Sequence, residues 1–158
     1  MTKKTPKRQA RRKVQGTQIE HLVENDIIRH KHKNQNTKIN TKKGIDIFVR
    51  NGIRLDVEVK SAKEKTLYRD KNGNYRFRTG RFLIKMNDYI NADLFAFAIK
   101  EVNAKGKWNG NIDINYIKSE TICDYLKDRG LYKKRENVKI GINTIRDLPK
   151  TYLGAYLK

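Results

Sequence analysis

The chain has a single cysteine, Cys123, so it has no intramolecular disulfide, and oxidative stapling is excluded from its fold. It also lacks a long hydrophobic run. The longest, Leu94-Phe95-Ala96-Phe97-Ala98-Ile99, falls far short of the roughly 20 residues that span a bilayer, which excludes a helical membrane anchor. The opening Met1-Thr2-Lys3-Lys4-Thr5-Pro6-Lys7-Arg8 leads into more charge instead of an apolar segment, so no secretory signal is expected. No internal repeat is present. Acidic side chains are few beside the basic ones: 17 Asp and Glu against 37 Lys and Arg give a formal net charge of +20. Such an excess implies a polyanionic partner held with strong salt dependence, most simply nucleic acid. A cytoplasmic, nucleoid-associated protein is the expectation.

With 158 residues, of which 37% are hydrophobic, the chain can bury one core and is too short for two domains. Residues 1–15 carry seven Lys or Arg, no acid and almost no large apolar side chain, which predicts a disordered basic arm, with a single domain over 16–158. The arm would neutralise phosphates through Lys7, Arg8, Arg11 and Arg12, or act only as a solubilising tail.

From Thr17 to about Lys31, Ile19, Leu22, Val23, Ile27 and Ile28 recur at three- and four-residue spacing and predict an amphipathic helix, with Thr17 and Glu20 as a capping box. Glu20 projects near the direction of Ile27, at the edge of the buried stripe, and Glu24 lies further from it. Asn34 to Lys43 is polar, basic and aperiodic, and reads as a loop.

Two strands follow. Ile45, Ile47 and Val49 alternate with polar or aromatic residues, as do Ile53, Leu55, Val57 and Val59. A two-residue turn at Asn51-Gly52 would pair Arg50 with Ile53 and set each apolar face beside a polar one. A three-residue loop or glycine bulge shifts the pairing by one. All seven aliphatics then share one face, and Asp46 shares the other with Glu58 and Lys60. Asp56 has the same parity and is the main decoy.

Downstream, Leu67-Tyr68 and Tyr75-Arg76-Phe77 flank the turn Asp70-Lys71-Asn72-Gly73-Asn74, predicting an exposed hairpin. Tyr68, Tyr75, Phe77 and Phe82, interleaved with arginines, suit either stacking on bases or cross-strand aromatic pairing. A short helix near Asn87–Ala92, a buried central strand over Leu94–Val102 and a turn-rich stretch from Lys105 to Asn111 come next. They lead to a strand over Ile112–Ile117, a helix from Ser119 to near Gly130, a strand over Val138–Ile142 and a short helix stopped by Pro149. The order predicts an α/β architecture with helices flanking one mixed sheet.

Asp46 and Glu58 on adjacent strands, with Glu20 on a helix packed on the same sheet, form an oxygen-donor set of the kind Mg²⁺ takes. Such an ion neutralises charge developing at a phosphate and lowers the pKa of an attacking water, and Lys60 can orient that water or stabilise the phosphorane. Alternating charge on a solvated hairpin face is the plainer explanation of Glu-x-Lys alone. His21, His30 and His32 have no spacing with Cys or a third ligand that suggests zinc. Trp108, in a Gly- and Asn-rich turn, has no assignable role.

Gly16-x-x-x-Glu20, Gly44-Ile45-Asp46-Ile47 and Val57-Glu58-Val59-Lys60-Ser61 together resemble the PD-(D/E)xK nuclease superfamily, most closely its archaeal-type Holliday junction resolvases. The resemblance covers about residues 14–62 and, more loosely, Ala92–Ile99. It implies a restriction-endonuclease-like mixed sheet flanked by helices, here with an extra basic β-hairpin. It also implies Mg²⁺ dependence with Mn²⁺ as a substitute, ligation by Asp46, Glu58 and the Val59 carbonyl, assistance from Glu20, and Lys60 as the catalytic lysine. Branched DNA as substrate and a homodimer follow in the same way. Gly44-Ile45 stands where the family often has proline before the aspartate. Ser61, Lys63, Arg69, Arg76, Arg78 and Arg81 are the expected backbone-gripping residues of the folded part. A sequence-specific duplex endonuclease of restriction or homing type, whose hairpin enters the major groove, is the alternative enzyme. A non-enzymatic nucleic-acid binder with a surface salt-bridge cluster is the alternative class.

Overall fold

The fold is taken from a computed structural model, which describes residues 6–30, 36–39, 47–51, 53–134 and 136–153. In chain order the elements are α1 (Pro6–His30), β1 (Asn36–Ile39), β2 (Ile47–Asn51), β3 (Ile53–Lys63), β4 (Lys65–Arg69), β5 (Tyr75–Thr79), β6 (Arg81–Ile84), α2 (Met86–Asn91), β7 (Leu94–Val102), β8 (Trp108–Lys118), α3 (Ser119–Asp128), β9 (Val138–Gly141) and α4 (Ile142–Asp147). This is a mixed α/β protein.

The main sheet has the order β1-β2-β3-β7-β8. β3 and β7 run parallel, and the other neighbours in it run antiparallel. β7 is buried from Leu94 through Ile99, which explains its unbroken apolar run: a strand covered on both faces has no polar side to alternate with. Leu94, Ala96 and Ala98 face α1, whose Ile19, Val23 and Ile27 pack on them together with Ile47 and Val57. Phe95, Phe97 and Ile99 face the other way, into a core built with Phe82, Ile122, Leu126 and Ile145. There Phe95 stacks on Phe97 at 5.2 Å, and Phe82 meets the Phe97 ring edge-on at 4.9 Å.

The β2–β3 register is the one that side-chain parity demands. Arg50 pairs with Arg54, Val49 with Leu55 and Ile47 with Val57. The arrangement of one parallel and several antiparallel pairs, with helices on both faces, also matches the expected class.

Several expectations are corrected. Residues 6–15, expected to be disordered, are helical: Pro6 suits the first turn, and the Lys, Arg, Gln and Ala that follow are good helix formers. Thr17 therefore lies inside α1 and does not cap it. Part of the expected loop from Asn34 to Lys43 is β1, which earns its place by pairing with β2, from Asn36 opposite Arg50 to Ile39 opposite Ile47. The strand β6 went unseen because only Phe82 and Ile84 of its four residues are buried. It pairs with β9 outside the main sheet, so the described strands form three sheets and not one. β8 begins at Trp108, earlier than Ile112, since the reversal is completed by Asn103–Lys107.

Candidate functional site

Glu58 and Lys60 lie two residues apart on β3, beside Phe95 and Phe97 of β7. Strand alternation sends them to the face opposite Val57. Glu58 is only 6% exposed, so its carboxylate sits in the sheet's covered layer and not on a solvated hairpin face. The Lys60 ammonium lies 3.3 Å from Glu58 Oε1 and 2.8 Å from Asp88 Oδ2. Burial pulls the Lys60 pKa down, but the hydrogen bond and charge of Asp88, followed by those of Glu58, more than offset it and hold it above its ordinary 10.5.

Asp88 was not foreseen. It is the third residue of α2, and its Oδ2 also accepts a hydrogen bond from the Lys85 backbone N–H at 2.8 Å. One carboxylate thus closes the start of α2 and docks that helix onto β3. An acid three residues after the residue preceding a short helix was the available sequence signal.

Asp56, of the same parity as Glu58, is held through its backbone. Its N–H donates to Asp93 Oδ2 at 2.8 Å, and its carbonyl accepts from the Asp93 N–H at 2.9 Å. Val59 is half-buried and packs in the α1 layer. Glu20 is half-buried on α1, as is Glu24. Ile19, Val23 and Ile27 of the same helix pack on the Val57 face. Asp46 lies outside the described residues. Among the described residues, no group of three or more His, Cys, Asp or Glu is arranged to hold a metal ion.

No family model, curated protein or solved structure matches this chain.

The expected phosphate-gripping residues fall into two sets. Ser61, Lys63 and Arg81 line a cleft of about 490 Å³ at the end of β3, together with Gly16, Thr66 and Lys100. Within it the Lys63 ammonium donates to the Gly106 carbonyl at 3.2 Å, so part of its hydrogen-bonding capacity is structural. Arg69, Arg76 and Arg78 lie on the β4–β5 ribbon. Arg76 Nε pairs with Asp70 Oδ2 at 2.8 Å, and Arg69 Nε donates to the Gly73 carbonyl at 3.1 Å. Arg78 lies over the Tyr68 ring at 4.1 Å, and Arg69 over Tyr75 at 5.9 Å. Tyr68 and Tyr75 are therefore partners of the ribbon's own arginines. Phe82, in contrast, is fully buried and is removed from any base-stacking role. Lys7, Arg8, Arg11 and Arg12 fall on the helical backbone of α1. Trp108 donates its indole N–H to the Asn111 carbonyl at 2.8 Å, a local clasp at the start of β8.

Proposed function

We propose that the chain is a divalent-metal-dependent DNA endonuclease that hydrolyses phosphodiesters, with a four-way junction as its preferred substrate. The observation that carries this reading is the buried Glu58 carboxylate 3.3 Å from a protonated Lys60, on a strand flanked by β2 and β7. An ion pair that serves only solubility belongs on an exposed face, and removing two charges from water is costly unless they have further work or further partners. The mixed sheet with helices on both faces supports a restriction-endonuclease-like arrangement.

The donors fit a hard cation, since the Glu58 and Asp46 carboxylates and the Val59 carbonyl are all oxygens. These residues would hold Mg²⁺, or Mn²⁺ in its place. Once bound, the ion would supply charge neutralisation at the phosphate and an acidified water. The other roles belong to the chain itself. Lys60, whose pKa is raised by Asp88 and Glu58, is held as an ammonium. Its role is to stabilise negative charge on the phosphate, and Asp88 fixes where that charge is met. The basic cleft at the end of β3 and the β4–β5 ribbon would grip the backbone, and a homodimer would place two such sites on a symmetric junction. Glu20 on α1 is an assisting residue in this reading.

The test is cleavage of a labelled four-way junction and its matched linear duplex in Mg²⁺, with Glu58→Ala beside the wild type. Paired nicks confined to the junction, and lost in the variant while binding persists, are the expected result. Cutting of the duplex would favour a restriction- or homing-type enzyme. A second reading, a non-enzymatic nucleic-acid binder, is favoured by Lys60 being shared between two carboxylates as a closed ion cluster. It requires tight binding and no cutting of either substrate.

A further inference from the structure

The β4–β5 ribbon has two unlike faces. One carries Leu67 and Phe77 and rests on the β7–β8 turn, where a side chain added at Gly106 would meet Leu67 at 3.4 Å and Phe77 at 3.5 Å. The other presents Thr66, Tyr68 and Arg78 to a cleft of about 400 Å³. The opposite wall of that cleft is the β6–β9 ladder. Phe82, Ile84, Val138 and Ile140 of this ladder point into the core, while Arg81, Leu83 and Lys139 point into the cleft.

Three features set this surface apart. Its charged lining residues are Arg78, Arg81 and Lys139, and no Asp or Glu lines it among the described residues. Leu83, 43% exposed, puts apolar surface among those cations. The Arg78 guanidinium lies over Tyr68 at 4.1 Å, which backs one side of it with a ring.

We infer that this cleft is a binding trough for single-stranded nucleic acid, with phosphates held by Arg81 and Lys139 and an unpaired base packed on Arg78 and Leu83. Duplex DNA offers phosphates to such a surface but keeps its base faces stacked inside, so the exposed Leu83 would gain nothing from it. An unpaired strand offers both chemistries, and bases stack on guanidinium planes as readily as on aromatic rings. The volume is that of a site for one small ligand, enough for a splayed nucleotide and not for a double helix. The inference goes beyond the nuclease reading and does not depend on its chemistry.

The experiment is fluorescence anisotropy of a labelled oligothymidylate and of a duplex of equal length, in EDTA so that nothing is cut. The proteins are wild type, Arg78→Ala, the double variant Arg81→Ala/Lys139→Ala, and Glu58→Ala. All the altered cleft residues are exposed, and thermal melts report that the variants fold. Arg78→Ala is expected to lose about tenfold in affinity for the single strand and clearly less for the duplex, to which it offers only a phosphate contact. The double variant should flatten the slope of log affinity against log salt by about 1.4 on the single strand, the value for two lost phosphate contacts. Unchanged single-strand binding overturns the inference, and so does an equal loss on both substrates, which would mean a general polycation. Glu58→Ala should bind the oligothymidylate like the wild type. Failure of the nuclease reading would appear as missing cleavage with this binding intact, so the two failures are read separately.

Discussion

Lys60 is bound by two carboxylates, and the consequences are separable by pH. A lysine whose folded pKa lies above its ordinary 10.5 contributes stability that is fully present below 10.5 and is lost as pH rises through the folded value. The difference in unfolding free energy between wild type and Lys60→Met should therefore hold constant from neutral pH to about 10 and shrink above 10.5 in urea titrations. A difference that shrinks below pH 9 would show that the ammonium is not held as described. Asp88→Ala removes the cap acceptor of α2 as well as a partner of Lys60. Loss of the cap should cost about 1 kcal/mol, and the Lys60 pKa should fall. If Lys60 must be an ammonium to act, the alkaline limb of the pH–rate profile then moves to lower pH in the variant. An unmoved limb with intact cleavage would make Asp88 purely structural.

At the scale of elements, two glycines are expected to behave in opposite ways. Gly80 joins the ribbon to β6, with its N–H on the Glu64 carbonyl at 3.0 Å and its own carbonyl accepting from Ile142 at 3.1 Å. A Cβ there would fall 1.8 Å from the Lys63 carbonyl oxygen, which backbone cannot yield cheaply. Gly80→Ala should therefore destabilise by roughly 3 kcal/mol, the upper end of overpacking costs, as a shift in the urea midpoint. Gly16, inside α1, has nothing within 4 Å of where a Cβ would stand. Gly16→Ala should stabilise by about 0.5–1 kcal/mol. A loss of stability would mean that the helix is not continuous through this point. Such contrasts also show how far the elements were legible in advance. The β2–β3 register and the bulk of β7 follow from side-chain alternation and an unbroken apolar run, both local signals that tertiary packing reinforces. Helix α3 and the ribbon turn at Asp70 were legible from the same kind of local cue. β1 and β6 were not, because each has four residues and exists through its pairing, β1 with the next strand and β6 with the distant β9. For the candidate site, the Glu58–Lys60 pair follows from parity alone. The part played by Asp88 depends on how α2 docks on the sheet, information that a single strand pattern does not contain.

At the scale of the whole molecule, the charge of +20 makes ionic strength a decisive variable. Affinity for any DNA should fall linearly on a log–log plot against salt, with a slope near −0.9 per phosphate contact on duplex. A flat dependence would leave the basic surface without a polyanionic role. No helix among the described residues is long and apolar enough to cross a membrane. The two faces of the sheet are also closed in different ways. The Phe95 face is closed by β6, α2, α3, β9 and α4, which lie on both sides of β7 in the chain, whereas the Val57 face is closed by α1. Tyr116 of β8 donates to Asp26 of α1 at 2.6 Å across a separation of 90 residues, and burial followed by the Asp26 contact pushes the tyrosine pKa upward. Tyr116→Phe should cost roughly 2 kcal/mol in chemical denaturation, the worth of a hydrogen bond to a charged acceptor. The same separation governs the order of events during synthesis. A ribosome delivers Asp26 long before Tyr116, so α1 meets β2, β3 and β7 while its bond to β8 is still unmade. A chain stalled before residue 116 would keep the packed stripe of this helix and lack its fastening to the edge strand.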